Sequence, residues 1–365
     1  MKIQQIIAFL QDWAAPAYQE SYDNAQLICG DASSSVRKIL VSLDATEEVV
    51  DEAIRKGANL IIAHHPIVFK GLKKLTGANY VERCIIKAIK HDIAIFAIHT
   101  NLDNISSGVN KEISNRLGLE NTRILAPKTQ ILSKLITFVP IENAQAVAQA
   151  MFDAGAGQIG NYDMASFRSE GIGSFRPLKN ANPHIGSENT YEEVKELKLE
   201  VLVENYLLSS VIQAMLEAHP YEEVAYDIIA LQNAHPYVGS GMIGTLEKEL
   251  SLADFLNLLK AKFGLKAIKY TGDLSRNVKT VALCGGSGIF LLPNAIRSKA
   301  DVYLTSDVKY HEFFDAENKL SIIDIGHFES EQFTIDLILR KLQAHFDGIA
   351  MEAAETKTNP VNYFV

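Results

Sequence analysis

Alternating strand-like and helix-like segments fill the first 125 residues, and this alternation constrains the fold more than any other feature of the chain. The segment TEEVVDEAIRKG has helical spacing and closes on a glycine, a common helix stop. Strand-like runs lie at 38–46, 59–66 and 93–103, and helical patterns lie at 46–57, near 79–90 and near 109–117. This spacing predicts βαβ units and a largely parallel sheet. The strands are continuously apolar, as expected when both faces of a sheet are covered.

The end of the chain returns to the same pattern. Strand-like runs followed by polar turns are VKTVALCGGSG (278–288), DVYLTSDVKYHE (301–312) and SIIDIGHFESE (321–331), and helical patterns lie at about 291–299, 309–317 and 330–345. We therefore expect an α/β protein with two lobes built on mostly parallel sheets, at residues 1–128 and 238–365.

The middle of the chain has a different order of strand and helix patterns. It reads as the strand KLITFVP, a helix, a stretch rich in Gly, Ser and Asn, the strand KLEVLVE, a second helix and the strand VAYDIIAL. This βαββαβ-like order is typical of ferredoxin-like domains. The flanks APKTQ (126–130) and QNAHPYVGSG (232–241) resemble two connections, so we expect an inserted α+β domain at 129–237.

The hexapeptide GAGQIG (155–160) inside this middle part satisfies the dinucleotide-binding pattern G-x-G-x-x-G. That fingerprint requires a strand before it and a helix after it. Here a helical pattern precedes it and the strand-like NYDMASF follows. We interpret the segment as a glycine-rich turn.

Three of the predicted parallel strands end in residues that bind metals. The first ends in His64 and His65, the second in HTNLD, which closes on Asp103, and the third in GHFESE, which contains His327 and Glu331. Sites in open α/β sheets form outside the carboxyl ends of the strands. Three such ends on one side of a sheet predict a shared metal site.

The spacing of these residues suits more than one ion. Neighbouring side chains on a strand point to opposite faces, so His64 and His65 reach one place only where the strand has ended, and Pro66 helps to end it. Adjacent histidines that diverge could serve two metals. His327 and Glu331 share one face if a helical turn begins there, and a carboxylate between two ions can bridge them. Imidazole and carboxylate together suit zinc, iron, manganese or cobalt.

Each of these signals also has a simpler interpretation. A histidine at a strand end is often merely exposed, HTNLD is typical of turns, and H-x-x-x-E is common on solvated helices. The roles of His99 and of His311, in SDVKYHE, stay open between contact with the site and surface exposure. The turn CGGSG (284–288) could approach a phosphate with backbone donors, but a tight glycine turn is the preferred interpretation.

Composition excludes several classes of protein. The net charge is −9 and no basic stripe is present, which argues against a nucleic-acid partner. No apolar run approaches the roughly 18–20 residues of a membrane helix. The three cysteines are far apart and form no CxxC pair, so we expect no disulfide framework, no thiolate metal site and a cytoplasmic location.

Five segments taken together resemble the NIF-three-like family, whose bacterial members are often called "GTP cyclohydrolase 1 type 2 homolog". They are AHHP, HTNLD, CGGSG, SDVKYHE and IGHFESE, in that order. The inserted part, with GAGQIGNYDMASF, GIGSFRPL, NPHIGS and HPYEEVAYDI, is similar to the insert of the longer members, whose fold resembles CutA and PII-like proteins. The resemblance covers essentially the whole chain.

The resemblance implies a site for two divalent metal ions in each subunit, between two α/β lobes. Carried over position by position, His64, Asp103 and Glu331 would bind one ion, and His65, His327 and Glu331 the other, with Glu331 as the bridge. It also implies a toroidal homohexamer with the inserts at its openings. The family's name proposes opening of the GTP imidazole ring with release of formate.

Three hypotheses about function follow. The first is a metal-dependent hydrolase, acting on GTP or on another phosphorylated or cyclic-amide compound. The second is a metal chaperone or a metabolite-sensing regulator that acts through the insert without catalysis. The third is a scaffold in which the metals only hold the lobes together.

Overall fold

The structure is a computed structural model, and it describes residues 1–364. The chain forms two compact units: one combines residues 1–127 with the C-terminal part from Tyr237 onward, and the other comprises residues 128–236. Helices and strands are numbered below in chain order.

The first unit contains a five-stranded sheet that is parallel except at one edge. Across it lie β1 (Leu27–Cys29), β4 (Ala94–Ala97), β3 (Leu60–His65), β2 (Lys38–Asp44) and β15 (Ala350–Ala353). Only β1 is antiparallel to its neighbour. The apolar positions Leu60–Ala63 of β3 have no exposed surface. The prediction of a largely parallel sheet covered on both faces is confirmed here.

The second sheet of this unit is mixed. Across it lie β11 (Lys269–Tyr270), β14 (Ser321–Asp324), β13 (Val302–Thr305), β12 (Asn277–Leu283), β10 (Gly239–Ser251) and β5 (Glu120–Pro127). Only β12, β13 and β14 are mutually parallel, and the other pairings are antiparallel. The prediction of mostly parallel sheets is therefore wrong for this sheet.

The antiparallel pairing of β5 with β10 has a physical reason. The chain leaves this unit after β5 and returns at β10, and Pro127 lies opposite Gly239. An insertion whose two ends must lie side by side needs two neighbouring strands that run in opposite directions. Strands also cross between the predicted lobes, because β5 joins the second sheet and β15 joins the first.

Nine α-helices complete this unit within residues 1–127 and 237–364, the part that the structure describes. They are α1 (Ile3–Trp13), α2 (Glu47–Lys56), α3 (Tyr80–Lys90), α4 (Thr100–Asp103), α5 (Val109–Leu117), α8 (Leu252–Phe263), α9 (Leu292–Arg297), α10 (His327–Glu331) and α11 (Thr334–Gln343). Helix α2 shows how local sequence sets their limits. The Thr46 hydroxyl accepts a hydrogen bond from the amide of Val49, and Gly57 ends the helix with φ of 71°. Its buried face packs on the first sheet.

Two helical patterns near the C-terminus differ from expectation. Residues 310–316 form a 3₁₀ helix, whose first turn is closed by a hydrogen bond from the Lys309 amide to the Glu312 carboxylate. The pattern predicted at 330–345 is split into α10 and α11 and begins at His327. Because α10 starts so early, His327 and Glu331 lie on one short helix.

The second unit is a four-stranded antiparallel sheet with two helices. Across the sheet lie β7 (Ser166–Phe175), β8 (Glu192–Glu204), β6 (Leu132–Pro140) and β9 (Tyr226–Leu231). Helices α6 (Ala144–Asp153) and α7 (Leu208–Ala218) share a core with β6 and β8. The segment GAGQIG follows α6, with φ of 99°, 80° and 61° at Gly155, Gly157 and Gly160. It is a turn, as predicted.

Helices in the part of the chain that the structure describes are all too short or too polar to cross a bilayer.

Candidate metal centre

Five predicted ligands lie together in the first unit, at the carboxyl ends of strands from both of its sheets. His64 and His65 end β3, Asp103 ends α4 directly after β4, and His327 and Glu331 are the first and last residues of α10 after β14. Within the first sheet, the parallel strands β3 and β4 present these ends at one edge and bring His64, His65 and Asp103 together. His327 and Glu331 follow a strand of the second sheet, so the expectation of three ligand-bearing ends on one side of a single sheet is wrong.

The carboxylate of Glu331 lies at the middle of the cluster. Its Oε2 is 2.9 Å from His65 Nε2, 3.1 Å from His327 Nε2 and 3.9 Å from His64 Nε2. Asp103 Oδ1 lies 3.6 Å from His64 Nε2. Two triads each have ligand atoms within 4.8 Å of one another: one joins His64 and Asp103 to Glu331, and the other joins His65 and His327 to Glu331. Both triads use Glu331, which is the arrangement a bridging carboxylate requires.

Strand β3 includes both histidines, although the sequence suggested that it must end before them. Their rings lie 4.9 Å apart and are inclined by 45°. His64 is buried and donates from Nδ1 to the Ile98 carbonyl at 2.9 Å. His65 donates from Nδ1 to Asp44 at 2.8 Å. These two hydrogen bonds turn both Nε2 atoms toward Glu331, so the strand need not end for the rings to converge.

Carboxylates hold the Nδ1 atoms of the other histidines in the same way. His327 donates to Asp307 at 2.6 Å, and His99 donates to Asp23 at 2.8 Å. Such partners fix the tautomer, so that Nε2 remains the ligand atom, and they make the imidazole more basic. Each of these histidines therefore presents Nε2 in a fixed orientation.

The protonation states follow from burial and from these carboxylates. Burial alone would lower the pKa of His65 and His327, but their hydrogen bonds to Asp44, Asp307 and Glu331 raise it to about 10 and about 9. Burial would raise the pKa of Glu331, but hydrogen bonds from both imidazoles hold it well below its usual range. Without metal, the site therefore keeps an ionised carboxylate between two imidazolium rings.

Burial dominates the protonation states of His64 and Asp103 in the triad that they form with Glu331. Burial lowers the pKa of His64 to about 3, so its ring is neutral and can act as a ligand. Burial and the charge of Glu331 raise the pKa of Asp103 well above its usual value. His64 Nε2 and Asp103 Oδ1 are both buried without a hydrogen-bond partner among the described residues. Buried polar atoms nearly always have partners, so these two orphaned atoms fit a cation held between them.

The donor set therefore fits divalent metals. Imidazole nitrogens and carboxylate oxygens, with no thiolate in either triad, suit zinc, iron, manganese or cobalt. His99 is a further candidate, since its ring forms a third group with His64 and His65. A cavity of about 970 Å³ gives access to His65, His99, Asp103, His327 and Glu331.

The glycine turn CGGSG makes room for Glu331. A Cβ on Gly286, which has φ of +63°, would lie 2.3 Å from Glu331 Oε1. The turn's amides donate to side chains: Gly285 to Asn110, Gly286 to Ser330 and Gly288 to Thr305, each at 3.0 Å. These donors are used inside the protein, so the preferred interpretation as a tight turn is confirmed.

Sequence reasoning missed the carboxylates that orient the histidines. Asp44 ends β2 and Asp307 follows β13, so the rule that located the ligands, a polar residue at the carboxyl end of a parallel strand, also applies to them. Asp23 lies in a loop, and no local pattern marks it. His311 is exposed on the 3₁₀ helix and does not line the cavity. The open question about His311 is thus resolved in favour of surface exposure.

Known proteins resemble the chain over its whole length. A family model described as Duf34/NIF3 (NGG1p interacting factor 3) matches residues 1–360. A protein of Bacillus subtilis named "GTP cyclohydrolase 1 type 2 homolog" is 40% identical over 99% of this chain and 98% of its own length. A Staphylococcus aureus protein with the same name is 35% identical over 100% of both chains.

A solved structure agrees with these relatives. The Bacillus cereus protein related to NIF3 superposes with a TM-score of 0.85 at 37% identity, covering 100% of this chain and 99% of its own. A family match over nearly every residue and close relatives of the same length point to one conclusion. The chain belongs to the Duf34/NIF3 family.

Proposed function

We propose that the chain is a metal-dependent hydrolase that acts on a small molecule at a site for two divalent ions. The observation that carries the proposal is the position of Glu331, whose Oε2 lies within 4 Å of three imidazole nitrogens from two sheets. One ion would be held by His64, Asp103 and Glu331, and the other by His65, His327 and Glu331. Five protein ligands for two ions leave coordination positions for water and substrate.

Residues around the ligands also have roles in this proposal. Divalent ions in such sites polarise carbonyl groups and lower the pKa of water. Asp44 and Asp307 keep the Nε2 atoms of His65 and His327 directed at the site. His99 lines the cavity, and its ring is anchored through Nδ1 to Asp23.

The name of the curated relatives suggests ring opening of GTP, with release of formate, as the reaction. The test is to load the purified protein with zinc, manganese, iron or cobalt in turn and to assay GTP for formate. A Glu331→Gln variant is the control, since it keeps the size of the side chain and removes the charge shared by both triads. Formate release by the wild-type protein alone would support the cyclohydrolase activity. Absence of formate with every metal would exclude GTP as the substrate but not hydrolysis of another compound.

A second candidate is a metal chaperone or a metabolite-sensing regulator. It is favoured by a separate cavity of about 690 Å³ in the second unit, lined in part by Phe175, Glu196 and Tyr221. The βαββαβ element order and the strand order β7-β8-β6-β9 of that unit support the ferredoxin-like insert expected from the sequence. Rapid transfer of bound metal to a chelator would favour delivery, and ligand-induced thermal shifts without turnover would favour sensing.

We also propose that the chain assembles into a ring of six copies. Exposed apolar side chains on the edge strands of the second unit support an association surface there: Phe167 is 66% and Ile172 is 68% exposed on β7, and Ile228 is 49% exposed on β9. Light scattering coupled to size-exclusion chromatography tests this, with six times the 40.3 kDa chain mass expected.

A further inference from the structure

The cavity at the metal centre is strongly acidic. Besides the two carboxylate ligands, five further carboxylates line it. They belong to Glu20, Asp44, Asp307, Asp324 and Glu329. An anionic ligand that enters this cavity is repelled by its ionised carboxylates in a partly desolvated space, where Coulomb interactions exceed those in bulk water.

Apart from the histidines at the metal centre, basic side chains are nearly absent from the cavity. Lys269 is the only lysine among the described lining residues, and no arginine is present. Lys269 Nζ is 2.6 Å from Asp324 Oδ2, so its charge is already paired. Apart from metal ions, proteins bind phosphates with arginine or lysine side chains, or with free backbone amides at a helix start or glycine turn. The nearby amides of Gly285, Gly286 and Gly288 all donate within the protein.

Bound metal would reduce the negative charge without reversing it. Two divalent ions add four positive charges. Together with Lys269 they still leave the seven carboxylates in excess by two. A nucleoside triphosphate, with about four negative charges, would therefore enter a cavity of its own sign even in the loaded protein.

Aromatic side chains also line the cavity. Its aromatic residues are Tyr22, Phe69, Tyr80, Phe290, Phe328 and Tyr363. Several are unusually exposed for their size, with 63% of Phe290 and 60% of Tyr80 accessible to solvent. Aromatic side chains and carboxylates in one cavity suit a flat ring that is neutral or positively charged.

We propose that the molecule handled at this metal centre is a neutral or cationic ring compound with hydrogen-bond donors, and not a nucleoside triphosphate. This inference rests on the proposed function, because it assigns a substrate class to the same site. Carboxylates of the cavity accept hydrogen bonds from the ring's amino or amide groups, and the aromatic side chains of the lining pack on its faces.

The test is a charge series measured by calorimetry on metal-loaded full-length protein. Guanosine, GMP and GTP share one ring and differ in phosphate number, and benzamidine supplies a cationic ring. Metal content is measured before and after each titration, so that extraction of metal by GTP does not count as binding. We expect guanosine or benzamidine to bind at least about tenfold more tightly than GTP.

A pair of variants checks the cause. Glu329→Gln removes one negative charge from the cavity, and we expect it to reduce the ratio of guanosine affinity to GTP affinity about threefold. Glu317→Gln removes an equal charge from an exposed residue outside the cavity and should leave this ratio of affinities unchanged. If both variants changed the ratio of guanosine affinity to GTP affinity equally, the result would contradict the role of the cavity charges.

Two results would overturn the inference while leaving the hydrolase proposal intact. One is tighter binding of GTP than of guanosine and benzamidine by protein that retains its metal. The other is no binding of guanosine or benzamidine at millimolar concentrations by that same protein. Failure of the protein to hold metal at all is a different result, and it would overturn the proposed function itself.

Discussion

A glutamate in helix α2 anchors the C-terminal segment that reaches the metal centre. Glu52 is 2% exposed and accepts hydrogen bonds from the amides of Glu355 and Thr356 at 2.8 and 2.9 Å. The Thr356 hydroxyl and the Lys56 ammonium group also bind it. Two residues further on, Thr358 donates to Asp44, which in turn holds His65. Loss of the Glu52 charge should therefore loosen a segment that leads to the ligands.

The expected size of the effect follows from the pKa of Glu52. Burial would raise this pKa, but the hydrogen bonds lower it from 4.5 to about 2. A shift of this size corresponds to about 3 kcal/mol, and allowing for screening by nearby water we expect about 2 kcal/mol. Glu52→Gln should lower the free energy of unfolding by this amount near neutral pH.

The stabilisation depends on pH in a defined direction. Because the folded pKa is the lower one, the contribution is fully present above about pH 4.5 and is lost as the pH falls toward 2. The difference between wild type and Glu52→Gln should therefore shrink to less than half of its neutral value at about pH 3.

Urea unfolding followed by tryptophan fluorescence measures this effect. Trp13 is the only tryptophan and lies in α1, so the signal reports on the unit that contains Glu52. Asp51→Asn is the matched control. It lies on the same helix and has an exposed ion pair with Lys87, so it should cost less than about 0.5 kcal/mol. A Glu52→Gln cost that stays constant between neutral and acid pH would refute the reasoning.

Three further variants test the site and the core. Gly286→Ala places a Cβ 2.3 Å from Glu331 Oε1, so metal content measured by mass spectrometry should fall sharply while the circular dichroism spectrum is retained. Asp307→Asn removes the carboxylate that orients His327, and metal affinity measured by competition with a chelator should fall about 10–100-fold. Phe255→Ala empties a fully buried position and should lower the free energy of unfolding by about 3–5 kcal/mol in urea titrations.

The two predictions about metal binding each have a control within the chain. Gly71→Ala has no atom within 4 Å of the added Cβ and should leave metal content unchanged. Asp315→Asn changes an exposed residue and should leave metal affinity unchanged. Normal metal content in Gly286→Ala would contradict the close approach to Glu331. Unchanged metal affinity in Asp307→Asn would contradict the orienting role of Asp307. A loss of less than about 1 kcal/mol in the free energy of unfolding of Phe255→Ala would contradict the packing around Phe255.

Local signals in the sequence predicted the elements that carry the ligands. Thr46 and Gly57 mark the two ends of α2, and the apolar run before His64 marks a buried strand. Because the carboxyl ends of parallel strands meet, recognising β3 and β4 was enough to bring His64 and Asp103 to one place, whereas Glu331 follows a strand of the second sheet and the rule does not cover it. These strands and the meeting of their ends follow from short-range patterns and one general rule of topology.

Strand pairing was harder to predict because it depends on distant partners. Nothing within β5 shows that it pairs with β10 across an insertion of more than one hundred residues, and nothing within β15 shows that it joins the first sheet. The orienting role of Asp23 was hard to predict for the same reason, because its partner His99 is 76 positions away. Both features exist only after the chain has folded.

Metal stoichiometry measured by native mass spectrometry tests the central claim, that Glu331 joins two triads of ligands into one site. We predict two divalent ions for each wild-type chain, one for His65→Ala and none for Glu331→Ala. His311→Ala, which changes an exposed histidine outside the cavity, should keep both ions. Two ions retained by Glu331→Ala would contradict the account, whatever activity the protein has.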